Sequence, residues 1–150
     1  MVDILSPVPG VQQEVSDVPD PVFAQGMVGP GAAISPRHGK QSAVAPIDGR
    51  LVKLHPHAFL ILSDKGPGVL VHLGIDTVHM RGDGFTMVAE ENQRVTAGSE
   101  IILWDPDYVE GTGRSAMCAV VVLDCPYPAV ALRPNGSEVA ASQPLFSIQC

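Results

Sequence analysis

Apolar residues fall in short runs along this chain, and glycine, proline, aspartate or serine bounds almost every run. Short runs rich in branched side chains and separated by turn-forming residues are typical of β-strands. Asp105–Gly111 differs, because an Asp-Pro pair at its start and a glycine at its end predict one or two helical turns. The predicted strands are Val11–Val15, Ala32–Ser35, Ala43–Ala45, Arg50–Leu54, Ala58–Leu62, Val69–Leu73, Ser99–Trp104, Ala116–Leu123 and Pro144–Ile148. We therefore expect an all-β fold, an antiparallel β-sandwich or barrel with at most short helical turns.

Two stretches of the pattern are similar to each other. Ser6–Val15 and Ala45–Leu54 each begin with a small residue and a proline, have glycine at the fifth position and continue into an alternating segment. This similarity predicts a β architecture with an internal pseudo-repeat. No linker or low-complexity segment interrupts the chain, so we expect one domain over residues 1–150.

Composition favours strands and argues against two classes of partner. The chain has 15 glycines and 14 prolines, a density that suits turns and opposes long helices. Its net charge of −7 argues against nucleic acid and against an anionic membrane surface, because both need a basic patch. The longest apolar run, Ala116–Leu123, is too short for a transmembrane segment, and the start of the chain lacks the features of a signal peptide. We expect a soluble, cytoplasmic protein.

The cysteines also predict a cytoplasmic protein. Cys118, Cys125 and Cys150 form an odd set without Cys-x-x-Cys spacing. We therefore expect neither a disulfide framework nor a thiolate metal site. A reducing cytoplasm fits this expectation best.

Two histidines stand near the ends of adjacent predicted strands. If Ser63–Gly66 is a four-residue hairpin loop, His57 lies directly opposite His72, with Cβ atoms roughly 4.5–5.5 Å apart. A six-residue loop over Ser63–Gly68 makes them diagonal neighbours on one face, whereas an odd loop sends them to opposite faces. The longer loop is plausible because Pro67 cannot donate a ladder hydrogen bond. We expect an even loop, with the histidines on the face that also carries Phe59, Ile61 and Leu70.

Paired imidazoles among apolar neighbours suit three kinds of role. Neutral imidazole is a nucleophile near neutral pH, so one ring could carry a phosphoryl group while the other donates a hydrogen bond to its oxygens. An apolar surround would exclude water and slow the loss of that group. Two histidines on one face are also half of a zinc site. The third interpretation is structural, with each ring satisfied by backbone groups.

Several longer stretches of the sequence carry a family resemblance. They are "DVPDPVFAQGMVGPGAAISP" from Asp17, "VAPIDGRLVKL" from Val44, "HAF" from His57, "VHLGIDTVHMRGDGF" from Val71 and "AEENQRVTAGSEIILWD" from Ala89. In order and spacing the chain resembles the glucose-type EIIA phosphocarrier of the bacterial phosphoenolpyruvate:sugar phosphotransferase system. "VHLGIDTV" together with "HAF" is a specific signature, and the similarity weakens after Asp105.

The resemblance implies a fold and a chemistry. The fold is a compact β-sandwich with Greek-key and jelly-roll connections. His72 matches the histidine that accepts a phosphoryl group on Nε2 from phospho-HPr and passes it to a cysteine of an EIIB domain. His57 matches the second histidine of the site, which contacts the phosphoryl group and is needed for onward transfer. Gly74 matches the position whose backbone carbonyl holds Nδ1–H of the nucleophile, which leaves Nε2 free.

The resemblance also implies a docking surface. Asp20 and Asp76 match acidic residues at the rim of the site that meet arginines of HPr. Phe23, Val28 and Leu70 match members of an apolar ring around the histidines. The implied partners are HPr, an EIIB domain of a sugar permease and, for some members, regulatory target proteins.

This chain departs from the family pattern at two positions. His55 replaces a hydroxyl residue that helps to hold the second histidine, and it could support that ring in the hydroxyl's place. Lys53 replaces a residue that is commonly aromatic. The resemblance implies no cofactor and no metal for the isolated chain, although a docked partner's carboxylate could complete a zinc site at His57 and His72.

Two alternatives to the phosphoryl carrier remain open. The first is a zinc-dependent hydrolase of lysostaphin-like architecture, because His55 and His57 have the H-x-H spacing of that class. That class also needs an upstream histidine with an aspartate four residues later, and Ser42 stands four residues after His38. The second is a purely regulatory binding module, in which the phosphorylation state of the site sets the docking of other proteins.

Overall fold

The computed structural model describes residues 1–150 and consists almost entirely of strands. The strands are β1 (Val2–Leu5), β2 (Gly10–Glu14), β3 (Gly31–Pro36), β4 (Gln41–Val44), β5 (Gly49–His55), β6 (Ala58–Ser63), β7 (Gly68–Leu73), β8 (Phe85–Met87), β9 (Arg94–Val95), β10 (Glu100–Trp104), β11 (Cys118–Leu123), β12 (Val130–Ala131), β13 (Glu138–Val139) and β14 (Pro144–Ile148). The helices are α1 (Pro21–Ala24) and α2 (Pro106–Gly111), and Val15–Asp17 and Thr77–Met80 form 3₁₀ turns. None of the helices has the length and apolar character to cross a membrane.

The strands pair in three antiparallel sheets. The large sheet has the order β13-β2-β3-β11-β7-β6-β5-β9, and the two small sheets have the orders β1-β14-β12 and β4-β10-β8. The edge strands of the large sheet, β13 and β9, do not pair with each other, so the sheet stays open. The predicted all-β class is confirmed, and the architecture is a sandwich without barrel closure.

The topology shows the internal repeat that the sequence predicts. β2 and β5 take equivalent places, each second from one edge of the large sheet, and each follows one of the two Pro-containing segments. These segments bond to each other, because Leu5 N–H donates to the Pro46 carbonyl (3.0 Å) and Val44 N–H donates to the Pro7 carbonyl (2.8 Å). The two similar segments of the sequence therefore lead into strands at related positions in the fold.

Apolar side chains pack on both faces of the large sheet. The main core lies between the sheets and contains fully buried residues such as Leu51, Phe59, Val71 and Val120. A smaller cluster packs on the opposite face of the central strands and consists of Val18, Phe23, Ala33, Ile75, Ala119 and Val121. This second cluster matters for function, because α1 and the loop after β7 cover it and His72 lies beside it.

Sequence patterns locate the long strands better than the short ones. All nine predicted strands are present with ends shifted by no more than about two residues, and α2 starts after Asp105 as predicted. The strands that the pattern missed are short: β1, β8, β9, β12 and β13. Strands this short lack room for an alternation signal, and only their partners reveal them. Helix α1 was also missed, although Asp20 followed by Pro21 is an N-cap signal.

The expectation of no disulfide is wrong. Cys125 and Cys150 are joined by a disulfide, with Cα atoms 5.5 Å apart, while Cys118 is a free and fully buried thiol. The fold explains the pairing, because the segment after β14 ends beside the segment after β11. Cysteine count and spacing carry no information on such a long-range contact. Since disulfides persist mainly in oxidising compartments, the cysteines no longer favour a reducing one.

Candidate functional site

The hairpin that contributes His72 has a different register from the predicted one. Leu62 pairs with Gly68, so the loop has five residues, and His72 lies opposite Ala58. Ser63 N–H donates to the Pro67 carbonyl (3.0 Å), which adds an irregular bond inside the loop. Phe59 and Ile61 consequently face the core instead of sharing a face with His72. The predicted even loop is wrong. Gly66 N–H donates to the Ser63 carbonyl (3.2 Å) and Gly66 has φ of +110°, so a turn that ends in a positive-φ glycine sets an odd number of loop residues.

His57 and His72 nevertheless meet, because His57 is not part of a strand. His55 pairs with Ala58, which leaves Pro56 and His57 as the two-residue turn between β5 and β6. The His57 carbonyl accepts a hydrogen bond from Leu73 N–H (2.8 Å), and this bond ties the turn to β7. The imidazole centroids of His57 and His72 are 5.2 Å apart, with the rings 70° from parallel. A turn residue escapes the strict alternation of a strand, so the odd register does not separate them.

The backbone after β7 fixes the orientation of the His72 ring. Nδ1 of His72 lies 2.6 Å from the Gly74 carbonyl oxygen. A carbonyl only accepts, so Nδ1 carries the proton and Nε2 keeps a free lone pair. Gly74 has φ of +75°, and a Cβ there would lie 2.6 Å from Cγ2 of Thr77. The Thr77 hydroxyl in turn donates to the Leu73 carbonyl (2.7 Å), so the loop that presents Gly74 is held from both sides.

Small side chains make room around His72 on the large sheet. Ala58 and Ala119 are its cross-strand neighbours, and Ala33 lies beyond Ala119. The ring of Phe23, delivered by α1, lies 5.4 Å from the His72 ring between centroids. Leu70 and Val28 are partly buried against the same apolar cluster. His72 therefore lies among apolar side chains and remains partly accessible. We call this surface, formed by His57 and His72 with Phe23, Val28 and Leu70, the hollow.

Both histidines of the hollow are disposed to be neutral at neutral pH. Burial lowers the pKa of His72, while the hydrogen bond to Gly74 and the charges of Asp20 and Asp76 act in the opposite direction. Burial, His72 and His55 together lower the pKa of His57 from 6.5 to about 4. Neutral imidazole is the nucleophilic form, so the electrostatics keep both rings ready to donate or accept at neutral pH.

Two carboxylates lie at the rim of the hollow. Asp20 is half-buried, and its Oδ1 accepts a hydrogen bond from Val22 N–H (2.9 Å) as the N-cap of α1. Asp76 is exposed and has φ of +60°, in the turn between Gly74 and the 3₁₀ segment. Both charges act on the pKa of His72, which places them within electrostatic range of its ring.

Exposed apolar residues follow each rim carboxylate, and the sequence analysis did not predict them. Val22 is 46% exposed two residues after Asp20, and Val78 is 55% exposed two residues after Asp76. Met27, shortly after α1, is 71% exposed. Their exposure depends on the short helical segments that carry them, which hydrophobic periodicity over a few residues cannot reveal.

His55 lies beside the histidine pair. Its ring is exposed and stacks on His57, with centroids 5.9 Å apart and planes 25° from parallel. The ring of His57 thus has two imidazole neighbours, His55 near parallel to it and His72 edge-on. Lys53, the other departure from the family pattern, is exposed on β5 and pairs with Leu60.

The structure does not assemble the ligands of a lysostaphin-like zinc site. His38 is exposed in the loop between β3 and β4, where Nδ1 lies 2.6 Å from Oδ1 of Asp107. It is therefore engaged with α2, and no set of three metal-ligating side chains includes His55 or His57.

Comparisons with known proteins identify the family of the chain and agree with its fold. Residues 2–126 match the family model described as phosphoenolpyruvate-dependent sugar phosphotransferase system, EIIA 1. A solved structure, the glucose permease IIA from Mycoplasma capricolum, superposes with a TM-score of 0.86 at 29% identity, and the match covers 97% of this chain and 94% of that one.

Curated relatives include free-standing and fused proteins. The glucose-specific EIIA component of Halalkalibacterium halodurans is 37% identical over 142 residues, covering 93% of this chain and 81% of that protein. The glucose-specific EIIA component of Haemophilus influenzae is 33% identical over 150 residues, covering 99% of this chain and 89% of that protein. The mannose-specific EIIBCA component of Corynebacterium glutamicum is 42% identical over 124 residues, but this chain spans only 18% of its length.

Proposed function

The chain belongs to the EIIA 1 family of the phosphoenolpyruvate-dependent sugar phosphotransferase system, and we propose that it carries the phosphoryl group on Nε2 of His72. The observation that supports this proposal best is the meeting of two neutral imidazoles in an apolar hollow, one of them with Nδ1 tied to the Gly74 carbonyl. A ring held in this way offers a single nucleophilic nitrogen to a phosphorylated donor.

In the proposed acceptance step, the donor is phospho-HPr. The lone pair on Nε2 of His72 attacks phosphorus, the bond between phosphorus and the donor breaks, and its electron pair stays with the donor. The Nδ1 proton remains on the hydrogen bond to Gly74, so the ring keeps its orientation throughout. Such a transfer needs positioning and charge stabilisation more than any other help from the protein.

In the proposed donation step, a cysteine thiolate of an EIIB domain attacks the same phosphorus. The bond between phosphorus and Nε2 breaks, and the electron pair returns to His72. His57 donates a hydrogen bond to the phosphoryl oxygens, where charge accumulates during both transfers. We further propose that His55 supports His57 by ring stacking, because the two rings are nearly parallel.

The proposed partners dock over the hollow. The rim carboxylates Asp20 and Asp76 suit a basic partner, which we identify with HPr, and Phe23, Val28 and Leu70 offer apolar contact. An EIIB acceptor is supported by relatives whose names join the components in one protein, among them the EIIBCA component of Corynebacterium glutamicum and the N-acetylglucosamine-specific EIICBA component of Escherichia coli. Regulatory targets would use the same surface, so phosphorylation would alter their binding.

Phosphorylation of the full chain with Enzyme I, HPr and phosphoenolpyruvate tests the proposal. We expect one phosphoryl group per chain, stable in base and labile in acid, and mapped to His72 by mass spectrometry at alkaline pH. His72→Gln should remove the label, whereas His79→Gln, a change at an exposed histidine, should leave it in place. Labelling that persists in His72→Gln, or an acid-stable adduct on a hydroxyl residue, would overturn the assignment.

A further inference from the structure

A cleft at the junction of the large sheet and the small sheet β1-β14-β12 lies away from the hollow. It has a volume of about 330 Å³ and is lined by residues of β2, β3, β12 and β14 and of the segments that flank β12. Ala32 of β3 lines the cleft and packs in the main core, whereas its neighbour Ala33 packs in the cluster beside His72. Because successive residues of a strand face opposite sides, the cleft and the hollow lie on opposite faces of the large sheet.

The buried end of the cleft contains a polar group without a partner. Gln12 lines the cleft and is only 1% exposed, and it lies opposite Ile34 on the core face of β2. Its Nε2 donates to the Leu145 carbonyl (3.4 Å), so the side chain extends towards β14, where the next residue, Phe146, lines the cleft. Oε1 of Gln12 is buried and accepts no hydrogen bond. A buried acceptor of this kind is costly to leave unpaired, so a donor that reaches it binds with a gain in free energy.

The remaining surface of the cleft is mostly apolar and carries one charge. Its apolar residues are Pro30, Ala32, Pro128, Ala129, Ala131 and Phe146. Glu14 is exposed and is the only charged residue that lines the cleft. It follows Gln12 by two residues, so both side chains lie on the same face of β2, roughly 7 Å apart along the strand. Neither ion pair of the structure involves Glu14, so its charge is not neutralised by a cationic side chain.

We propose that this cleft binds a small organic amine. The ammonium group donates to Oε1 of Gln12, and a charged donor makes a stronger hydrogen bond than a neutral one. The Glu14 carboxylate attracts the same group, because their separation is within the distance over which charges act at physiological salt. The apolar part of the ligand contacts the prolines and Phe146, as is usual in sites for small molecules. A carboxylic acid of the same shape would be repelled by Glu14 and could not donate to Gln12 when ionised.

Part of the cleft belongs to residues outside the family match. That match ends at residue 126, whereas Pro128, Ala131 and Asn135 line the cleft. The disulfide between Cys125 and Cys150 closes the segment that contains these three residues. The proposal therefore does not rest on phosphoryl transfer and does not depend on the function of His72.

Titration of the full chain with benzylamine, followed by NMR of the amide signals, tests the site. The side-chain amide signals of Gln12 should move and saturate, while those of Gln25, an exposed glutamine, should not. Sodium benzoate has the same ring and the opposite charge, and at equal concentrations it should leave the Gln12 signals in place. Gln12→Leu removes the acceptor, so it should weaken benzylamine binding, followed at the backbone amide of Phe146, by about 10-fold or more. Gln25→Leu is the matched control.

A second pair of variants changes only exposed residues. Glu14→Gln keeps the size of the side chain and removes the charge, so it should weaken benzylamine binding by about 2- to 5-fold, the usual effect of an exposed charge. Glu138→Gln, a change at an exposed glutamate that does not line the cleft, should leave the affinity unchanged.

Three outcomes would overturn the proposal. Gln12 signals that do not respond to benzylamine would show that an ordered water alone satisfies Oε1. Equal responses to benzylamine and benzoate, or equal affinities in Glu14→Gln and Glu138→Gln, would show that the cleft does not select amines. Equal affinities in Gln12→Leu and Gln25→Leu would remove Gln12 from the site.

Discussion

At the scale of single residues, one hydrogen bond decides which nitrogen of His72 can react. The Gly74 carbonyl accepts from Nδ1–H, so Nε2 keeps the free lone pair that the proposed phosphoryl transfer would use. His57 has another environment, because its ring neighbours are two other imidazoles, and burial together with those imidazoles lowers its pKa to about 4. The two rings therefore suit different tasks, nucleophile for His72 and neutral hydrogen-bond donor for His57.

The different tasks predict different defects in the glutamine variants. His57→Gln should still accept a phosphoryl group on His72, because the nucleophile and its bond to Gly74 remain. Transfer to EIIB should slow by about 100-fold, the usual effect of removing one donor that stabilises developing charge. Rapid-quench measurements of each half-reaction check this, with His79→Gln as the control. Onward transfer at the wild-type rate in His57→Gln would exclude the donor role.

The lowered pKa values predict how the site responds to acid. Because the pKa of His57 is lowered to about 4, its ring should stay neutral as the pH falls through 6.5, and the lowered pKa of His72 should delay protonation of that ring relative to an ordinary imidazole. NMR titration of the imidazole signals should show His57 titrating near pH 4. A His57 signal that titrates near pH 6.5 would contradict the effect of burial.

The same shift has a consequence for stability. The unfolded chain binds a proton at His57 at a higher pH than the folded chain does, so folding is favoured above the unfolded pKa. The contribution of His57 should be complete above about pH 6.5 and should be lost as the pH falls towards 4. Urea unfolding across this range measures it, and His57→Gln should show a weaker dependence on pH.

At the scale of elements, the β5–β6 turn positions His57, and His55 is the residue best placed to support it. His55→Ala should lower the rate of transfer to EIIB by about 2- to 10-fold, the worth of one stacked aromatic pair. His55→Phe keeps a flat ring without a titrating group, so it should retain most of the rate. Equal rates for His55→Ala and the wild type would show that His55 gives no support, and a defective His55→Phe would show that its polarity matters more than stacking.

The same elements show which features of the site could be predicted from the sequence. Short runs of apolar residues bounded by turn-forming residues located β5, β6 and β7, and the family signature identified the two histidines. The register was wrong because it depends on one residue of loop length, which the turn ending at the positive-φ Gly66 sets and which strand patterns do not encode. The histidines still meet because His57 belongs to a turn, so the correct pairing followed from an incorrect geometric argument.

At the scale of the whole molecule, the site and the disulfide lie near opposite ends of β7 and β11. His72 pairs with Ala119 near the start of β11, whereas Leu123 at the end of β11 pairs with Gly68, and Cys125 follows two residues later. Sequence could suggest the repeat but not this arrangement, because it depends on which strands become neighbours in the large sheet. The separation predicts that stability and phosphoryl transfer can be altered independently.

Removal of the disulfide tests that separation. The bond between Cys125 and Cys150 closes a loop that contains β12, β13 and β14, so it restricts the unfolded chain more than the folded one. Cys150→Ser should therefore lower the free energy of unfolding by about 2–4 kcal/mol, measured by urea denaturation, and leave the rate of His72 phosphorylation unchanged. Dithiothreitol should shift the wild-type midpoint towards that of the variant and should not affect the variant, because the variant has no disulfide to reduce and its two cysteines, Cys118 and Cys125, are both thiols. Identical midpoints for wild type and variant without reductant would show that the disulfide does not stabilise the fold. Slower phosphorylation in the variant would show that a change at one end of β7 and β11 affects His72 at the other end.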